Sequence, residues 1–156
     1  MTETPSSQSM AMPRSVLFVC NRNAVRSPMA KLLADRHCRR RVFTASVGLE
    51  AGSPDPFSVA AMAEIGLDIS RHVAQTIADL PESGFELVVA LTPECRKPAQ
   101  AIARRMGAAF AYWPIPDPTR VKGAREQRLE AFRAVRDQLA AHIAECFDFG
   151  GTTSAR

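Results

Sequence analysis

Long apolar runs are missing from this chain of 156 residues. No stretch approaches the ~20 consecutive apolar residues that a membrane-spanning helix requires, so we expect no membrane association. The first thirteen residues also lack the basic start and the continuous apolar segment of a secretory signal. We therefore expect a cytoplasmic protein with a disordered tail over residues 1–13, a single domain over 14–147 and a flexible tail over 148–156.

Cysteine is scarce, and the four cysteines form neither a Cys-x-x-Cys pair nor a cluster with histidine at metal-ligand spacing. They are Cys20, Cys38, Cys95 and Cys146. This pattern argues against a disulfide framework and against zinc, and we predict neither a metal nor a cofactor. Free thiols in a reducing compartment are compatible with a cysteine nucleophile.

Aromatic residues make up only 6% of the sequence, and lysine contributes 3 of the 20 basic residues, against 17 arginines. The net charge of +4 makes acidic partners worth considering. The densest basic cluster, residues 36–41, falls where a helix is expected to end, and cations at that end favour the helix dipole. Proteins that bind nucleic acids add aromatic stacking residues or a recognisable module. Neither is found here, so we predict no nucleic-acid partner.

Short apolar segments alternate with helical patterns along the chain. Strands are predicted at residues 15–20, 42–46, 86–91 and 110–113. Helices are predicted at residues 28–39, from the Asp55-Pro56 cap onwards and at residues 92–106, where Pro98 either starts or breaks the helix. A last helix is predicted from an apolar stripe of Leu129, Phe132, Val135, Leu139 and Ile143. On that last helix, Arg133 and Asp137 have the spacing of an ion pair. This order predicts an α/β three-layer sandwich in which helices flank a parallel sheet of four strands, with ligands bound beyond the carboxyl ends of the strands.

The first strand ends at Cys20, which begins the loop segment CNRNAVRS before a helix. In such a loop, successive backbone N–H groups can turn inward to form an anion nest, to which the helix dipole adds. The residues predicted to bind phosphate are Asn21, Arg22, Asn23, Ala24, Val25 and Arg26. The same field would stabilise a thiolate on Cys20, Arg26 can hold two phosphoryl oxygens, and Ser27 can donate a hydrogen bond to the sulfur. The competing interpretation is a buried cysteine that only packs.

A cysteine that takes up a phosphoryl group also needs an acid for the leaving oxygen and a base for the water that follows. Asp117 follows the fourth strand, so it should lie at the same edge of the sheet as Cys20. Prolines on both sides fix its backbone. The alternative is an aspartate that only forms an Asp-Pro turn. The shared edge favours a general acid.

Four segments, VLFVCNRNAVRSPMA, SVGLEAGSPDP, GLDISRH and PIPDPT, resemble the low-molecular-weight protein tyrosine phosphatases and their arsenate-reductase relatives. The resemblance implies a four-stranded parallel sheet flanked by helices. It also implies catalytic roles for the nucleophile Cys20, the phosphate clamp Arg26, the thiolate partner Ser27 and the general acid Asp117. His72 matches the position that supports the loop asparagine, here Asn23, and we expect Ser46 to belong to the same supporting set.

Three positions depart from the family pattern. Arg22 stands where a glycine is usual, two residues after the nucleophile. Val25 replaces a cysteine five residues after the nucleophile, and that cysteine can trap an oxidised nucleophile as a disulfide. Thr119 stands where the tyrosine phosphatases generally carry a tyrosine that flanks the substrate. These departures leave the loop geometry and the preference for phosphotyrosine open.

Three functional hypotheses follow, and they leave the oligomeric state open. The first is hydrolysis of phosphate monoesters, with protein phosphotyrosine or a small phosphate ester as substrate, through a cysteinyl-phosphate intermediate. The second is reduction of arsenate in the same loop, with the adduct on Cys20 resolved by another thiol. Thioredoxin-coupled relatives place a cysteine pair after the third strand, where this chain has Thr92 and a single Cys95, so a small-molecule thiol would take that role. The third is a non-catalytic phosphate-sensing module, which is favoured if Arg22 blocks the nest.

Overall fold

A four-stranded parallel sheet forms the centre of the protein. The computed structural model describes residues 12–81 and 83–148. The strands are β1 (Ser15–Cys20), β2 (Phe43–Gly48), β3 (Leu87–Ala90) and β4 (Ala109–Tyr112), in the sheet order β2-β1-β3-β4. The predicted α/β sandwich with a four-stranded parallel sheet is confirmed. Residues 1–11 and 149–156, which make up most of both predicted tails, lie outside the described residues.

Four α-helices flank the sheet within the described ranges. They are α1 (Arg26–His37), α2 (Pro56–Ala63), α3 (Pro93–Met106) and α4 (Arg125–Cys146), and two short 3₁₀ helices cover Ile77–Asp79 and Pro118–Arg120. None of the helices in this part of the chain combines the length and the apolar character that a membrane crossing needs.

The two faces of the sheet carry separate apolar cores. Val16, Phe18 and Cys20 of β1 contribute to the core that α1 and α4 complete, whereas Leu17 and Val19 contribute to the core under α3. The two-residue period of a strand produces this division. The predicted stripe on α4 is buried along its length. Cys20, only 2% exposed, therefore ends β1 on the α1 side of the sheet.

The start of α1 and the role of Pro98 differ from the sequence prediction. α1 begins at Arg26 rather than at Pro28, so the loop after β1 covers residues 21–25 and Arg26 is already helical. Pro98 neither starts nor breaks α3 but lies inside it. The helix starts earlier because Thr92 caps it, accepting a hydrogen bond from the N–H of Cys95 at 3.1 Å. The proline then removes a single backbone hydrogen bond, which the remaining turns outweigh.

The predicted ion pair between Arg133 and Asp137 is wrong. Arg133 binds Glu64, which follows α2, at 2.7 Å, and Asp137 binds its neighbour Arg136 at 2.8 Å. Arg133 also binds Glu126 and Glu130 of its own helix, at 2.6 and 3.1 Å. Its partners on α4 therefore lie on the N-terminal side of Arg133 rather than at Asp137, and Glu64 adds a carboxylate from outside the helix.

Gly48 ends β2 directly against the loop that follows Cys20. A Cβ at this position would lie 2.5 Å from the backbone N of Asn23 and 2.7 Å from the carbonyl carbon of Arg22. At Gly52, an added Cβ would instead meet side-chain atoms, the nearest being Arg22 Nε at 3.0 Å. Two backbones thus approach too closely at position 48 for any residue but glycine.

Replacement of Gly48 by alanine should lower the free energy of unfolding by about 1–3 kcal/mol, because the loop backbone must move to admit the methyl group. Gly52→Ala is the control, with a smaller expected loss of under about 1 kcal/mol. Its nearest neighbours would be side-chain atoms, namely Arg22 Nε at 3.0 Å and the Cβ atoms of Arg22 and Ala24 at 3.2 and 3.3 Å, and these contacts are less severe than those at Gly48. Urea denaturation of both variants and the wild type measures the two values. Equal losses would contradict a backbone-limited contact at Gly48.

Candidate active site

The loop 21–25 is held by the segment that follows β2. The N–H groups of residues 49, 50 and 52 donate to the carbonyl oxygens of residues 20, 21 and 22 at 3.2, 2.9 and 2.8 Å. With its carbonyls bound on that side, the loop turns its N–H groups the other way. In the described part of the chain, none of the N–H groups from Asn21 to Arg26 donates to a protein acceptor. Free donors beside the N-terminus of α1 have the geometry of an anion nest.

Asn23 anchors this loop from behind. It has left-handed backbone, with φ of 51°, and is fully buried. Its Nδ2 donates to Ser27 Oγ at 2.8 Å and to Ser46 Oγ at 2.9 Å. Its Oδ1 accepts from His72 Nε2 at 2.9 Å and from the N–H of Gln75 at 2.8 Å. All four hydrogen-bonding positions of the amide are filled, which holds the strained residue in place. The side chain of Asn23 therefore faces the protein interior, and only its backbone faces the nest.

His72 contacts Asn23 twice. Its Nε2 lies 3.0 Å from the carbonyl oxygen of Asn23 as well as 2.9 Å from Oδ1, and both atoms are acceptors. Nε2 must therefore carry a proton. Burial lowers the pKa of His72, against the opposing effect of its hydrogen bond to Asn23. The ring is accordingly neutral at neutral pH, with its one proton on the nitrogen that faces the loop.

The Cys20 sulfur lies at the base of the loop beside one hydroxyl group. Sγ is 2.9 Å from Ser27 Oγ, and both residues are buried. Because Ser27 Oγ already accepts a hydrogen bond from Asn23, its own proton is available for donation. The alternative acceptor, the carbonyl oxygen of Val47, is farther away at 3.4 Å. A hydroxyl proton directed at sulfur can stabilise negative charge there.

Arg26 and Asp117 approach each other at the mouth of the loop. Arg26 is 8% exposed, and its Nη1 donates to the carbonyl oxygen of Ile115 at 2.9 Å. That contact directs Nη2 toward Asp117 Oδ2, 3.9 Å away. The segment after β4 thus holds the guanidinium at one edge of the sheet together with Cys20, as the shared edge predicted.

Asp117 is oriented by Thr119. Its Oδ1 accepts from the N–H of Thr119 at 3.0 Å and from Thr119 Oγ1 at 2.6 Å, while Oδ2 lies 3.9 Å from both Arg26 and Arg120. Burial acts to raise the pKa of Asp117, but the Thr119 hydrogen bonds and the two arginines outweigh it, so the pKa lies below its usual value. In the protein by itself, the carboxylate is ionised at neutral pH.

A cavity of about 390 Å³ opens above Cys20. Its walls come from the loop, from Ser53 and Asp55 before α2, and from Asp117 and Thr119. None of the residues that line it is aromatic. Within residues 12–81 and 83–148, no group of three or more His, Cys, Asp or Glu side chains is placed to hold a metal ion.

Arg22 lines this cavity and is exposed. Its Cβ and Nε lie beside Gly52, and its backbone does not adopt the left-handed conformation. The left-handed position of the loop falls one residue later, at Asn23. The backbone at position 22 therefore does not require the glycine that is usual there.

The other predicted phosphate-binding residues divide into two groups. Ala24 and Val25 line the cavity. Asn21 also lines it, but its side chain is engaged by the start of α3: Oδ1 accepts from Thr92 Oγ1 at 2.6 Å, and Nδ2 donates to Glu94 at 3.3 Å. The donors that face an anion are consequently backbone N–H groups and the Arg26 guanidinium.

The contacts of Thr92, Gln75 and Ile115 with the site were not predicted. Gln75 and Ile115 act through backbone atoms, which leave no signal in the sequence. Thr92 does leave one, since threonine followed by proline at the start of a helical pattern is typical of an N-cap. Its hydroxyl accepts from the N–H of Cys95 and donates to Asn21, so the residue that caps the start of α3 also positions a residue of the loop after β1.

Comparison with known proteins gives a consistent family assignment. The sequence profile of the low molecular weight phosphotyrosine protein phosphatases matches residues 15–148. An arsenate reductase of Halalkalibacterium halodurans is 32% identical over 129 residues, covering 82% of this chain and 91% of that protein. A glutaredoxin arsenate reductase of Synechocystis sp. is 30% identical over 131 residues, covering 83% and 93%.

A solved structure of an arsenate reductase in the phosphate-binding state has the same fold. It superimposes with a TM-score of 0.71 at 29% identity, and covers 85% of this chain and 95% of that chain. The matched region extends from β1 to the end of α4 and contains Cys20, its loop and Asp117. This protein belongs to the low-molecular-weight phosphotyrosine protein phosphatase family, which includes arsenate reductases of the same fold.

Proposed function

We propose that this protein reduces arsenate to arsenite at Cys20, with a thiol from outside the chain as reductant. The observation that carries the proposal is the cavity above Cys20. The loop N–H groups and the Arg26 guanidinium can donate hydrogen bonds to a tetrahedral oxyanion above the Cys20 sulfur. No aromatic residue lines the walls to hold the ring of a phosphotyrosine. The similarity to two arsenate reductases, over 82% and 83% of this chain, supports the same reaction.

Arsenate and phosphate are both tetrahedral oxyanions, so one nest can accept either. Attack of the Cys20 sulfur on arsenic, with loss of water, forms a bond between sulfur and As(V). A thiolate then attacks the Cys20 sulfur: the S–S bond forms, the S–As bond breaks, and its electron pair stays on arsenic, which leaves as arsenite. A second thiol reduces the mixed disulfide on Cys20. In sum, arsenate and two thiols give arsenite, a disulfide and water.

The site residues have distinct tasks in this reaction. The loop N–H groups and Arg26 bind the arsenate oxygens and balance their charge. Ser27 donates to Sγ and stabilises it both as nucleophile and as leaving group. Asp117 supplies the proton for the departing water, because a bound dianion beside its carboxylate raises its pKa relative to the protein by itself. The reductant comes from outside because Thr92 and a single Cys95 occupy the region where a resolving pair would be needed.

Replacement of Cys20 by serine should lower arsenate-dependent thiol oxidation at least about a thousandfold, since a hydroxyl neither forms the adduct nor accepts attack by sulfur. Cys146→Ser is the matched control and should retain the activity. Arsenite release in the presence of glutathione measures the rate. Retained activity in Cys20→Ser would refute the proposal.

Hydrolysis of phosphate monoesters is the second candidate, and the position of Asp117 favours it. An arsenate adduct resolved by a thiol needs no base, whereas a cysteinyl phosphate resolved by water does. Asp117 Oδ2 faces Arg26 at the wall of the cavity, where it could protonate a leaving oxygen and then take a proton from water. The same cysteine would serve both reactions in the first step.

If Asp117 is the general acid of such a hydrolysis, Asp117→Asn should lower kcat/KM for phenyl phosphate about a hundredfold and kcat/KM for 4-nitrophenyl phosphate far less, because kcat/KM reports the first step and the better leaving group needs less protonation. The pH dependence of kcat gives a second test of the general acid. Only the protonated carboxyl can donate, so kcat of the wild type on phenyl phosphate should fall as pH rises through the pKa of Asp117 in the complex. The variant should lack that fall. Equal slowing of both esters by the substitution would count against the assignment.

A further inference from the structure

We infer that a second cavity beside the nest, between the start of α3 and the segment after β4, binds a zwitterionic amino-acid or peptide thiol such as glutathione. In the proposed arsenate reduction, on which this inference rests, that thiol is the reductant that resolves the arsenate adduct on Cys20. It assigns a co-substrate and two new binding residues, Glu94 and Arg120.

Cys95 cannot serve as an internal reductant because the sheet lies between it and Cys20. Cys20 belongs to the core under α1 and α4. Cys95 is fully buried in the core under α3, and its Sγ donates to the carbonyl oxygen of Val19 at 3.1 Å. Cys20, which points from β1 toward α1, and Cys95, which lies on α3, are therefore on opposite faces of the sheet.

Cys38 and Cys146 lie at the opposite edge of the sheet. Cys38 follows α1, whose 12 residues span about 18 Å from the loop at the carboxyl edge to the amino edge. Cys146 ends α4 in the same region, where the carbonyl oxygen of Phe147 lies 2.7 Å from His37 Nε2. Burial, above all, raises the pKa of Cys38 to about 11. No other cysteine in the described part of the chain can thus reach Cys20 in the folded protein.

The second cavity provides access for an external thiol. It has a volume of about 430 Å³, which is within the range of small-molecule sites. It shares Asn21, Arg26 and Asp117 with the cavity above Cys20, so an occupant lies next to an adduct on that sulfur. Its apolar walls are Pro93, Pro114, Ile115 and Pro116. Prolines restrict the backbone, so these walls are largely preformed.

Two opposite charges stand at the rim of this cavity. Glu94 and Arg120 both line it and both are exposed. Glu94 also accepts a hydrogen bond from Asn21 at 3.3 Å, which ties the carboxylate to the loop. An α-ammonium group fits the carboxylate of Glu94, and an α-carboxylate fits the guanidinium of Arg120. An uncharged thiol can use neither charge, and the pair therefore selects a zwitterionic one.

Kinetics with two thiols test the assignment at saturating arsenate. Glu94→Gln and Arg120→Gln should each lower kcat/KM for glutathione, through KM, about fivefold more than they lower kcat/KM for 2-mercaptoethanol. The uncharged thiol is an internal control, because any indirect effect through Asp117 lowers both values. Lys122→Gln, which removes an exposed cation that lines neither cavity, should change nothing. Equal losses with both thiols, or none, would overturn the inference.

A binding experiment separates this inference from the proposed function. S-methylglutathione cannot be oxidised to a disulfide, and calorimetry should detect its binding to the wild type, with an affinity about fivefold weaker in Arg120→Gln. Absence of binding at millimolar concentration overturns the cavity assignment even if arsenate is reduced. Binding without arsenate-dependent thiol oxidation refutes the proposed function and leaves the cavity as a thiol site. Turnover with a protein dithiol that neither substitution affects would also overturn the inference.

Discussion

The carbonyl oxygens of residues 20–22 are bound by the N–H groups of residues 49, 50 and 52, and this pairing decides which way the loop after β1 presents its donors. Free carbonyls would let each peptide plane rotate, and the N–H groups would no longer converge. Gly48 permits the pairing because it admits the loop backbone where a Cβ would not fit. Asn23 completes it from the other side with a fully hydrogen-bonded amide. The anion nest is thus a product of contacts with two distant segments, and without them it would be an ordinary flexible loop.

The candidate reactions share a first step and separate at the second. In both, sulfur attacks a tetrahedral oxyanion that Arg26 and the loop hold. The second step needs either a base for water or access for a thiol, and the structure offers one of each. Asp117 is aligned by Thr119 and its Oδ2 faces Arg26, while the second cavity adjoins the nest through walls that include Asp117 itself. If both proposed second steps occur, water and thiol would compete for the adduct on Cys20 from two neighbouring parts of one site.

Local patterns predicted the elements well where the signal is local. β1 has the predicted bounds, since its apolar run is buried on both faces and contrasts with the polar loop that follows. The patterns failed where several contacts compete. Arg133 binds Glu64 beyond α2 and two glutamates of α4 rather than Asp137, and a spacing rule does not rank these carboxylates. Pro98 lies inside α3 because the cap at Thr92 starts the helix before it, and that contact outweighs the tendency of proline to break a helix.

By itself, the sequence determined the alternation of strands and helices, the position of Cys20 at the end of a buried strand, and the order of the cysteine loop and Asp117 along the chain. Those features depend on residue type and on short-range periodicity. The tertiary structure decided that the left-handed residue of the loop is Asn23 rather than Arg22 and that Cys95 and Cys20 lie on opposite faces of the sheet. It also brought Glu94 and Arg120 to the rim of one cavity. Such relations depend on how separate segments pack, and no spacing within a single segment encodes them.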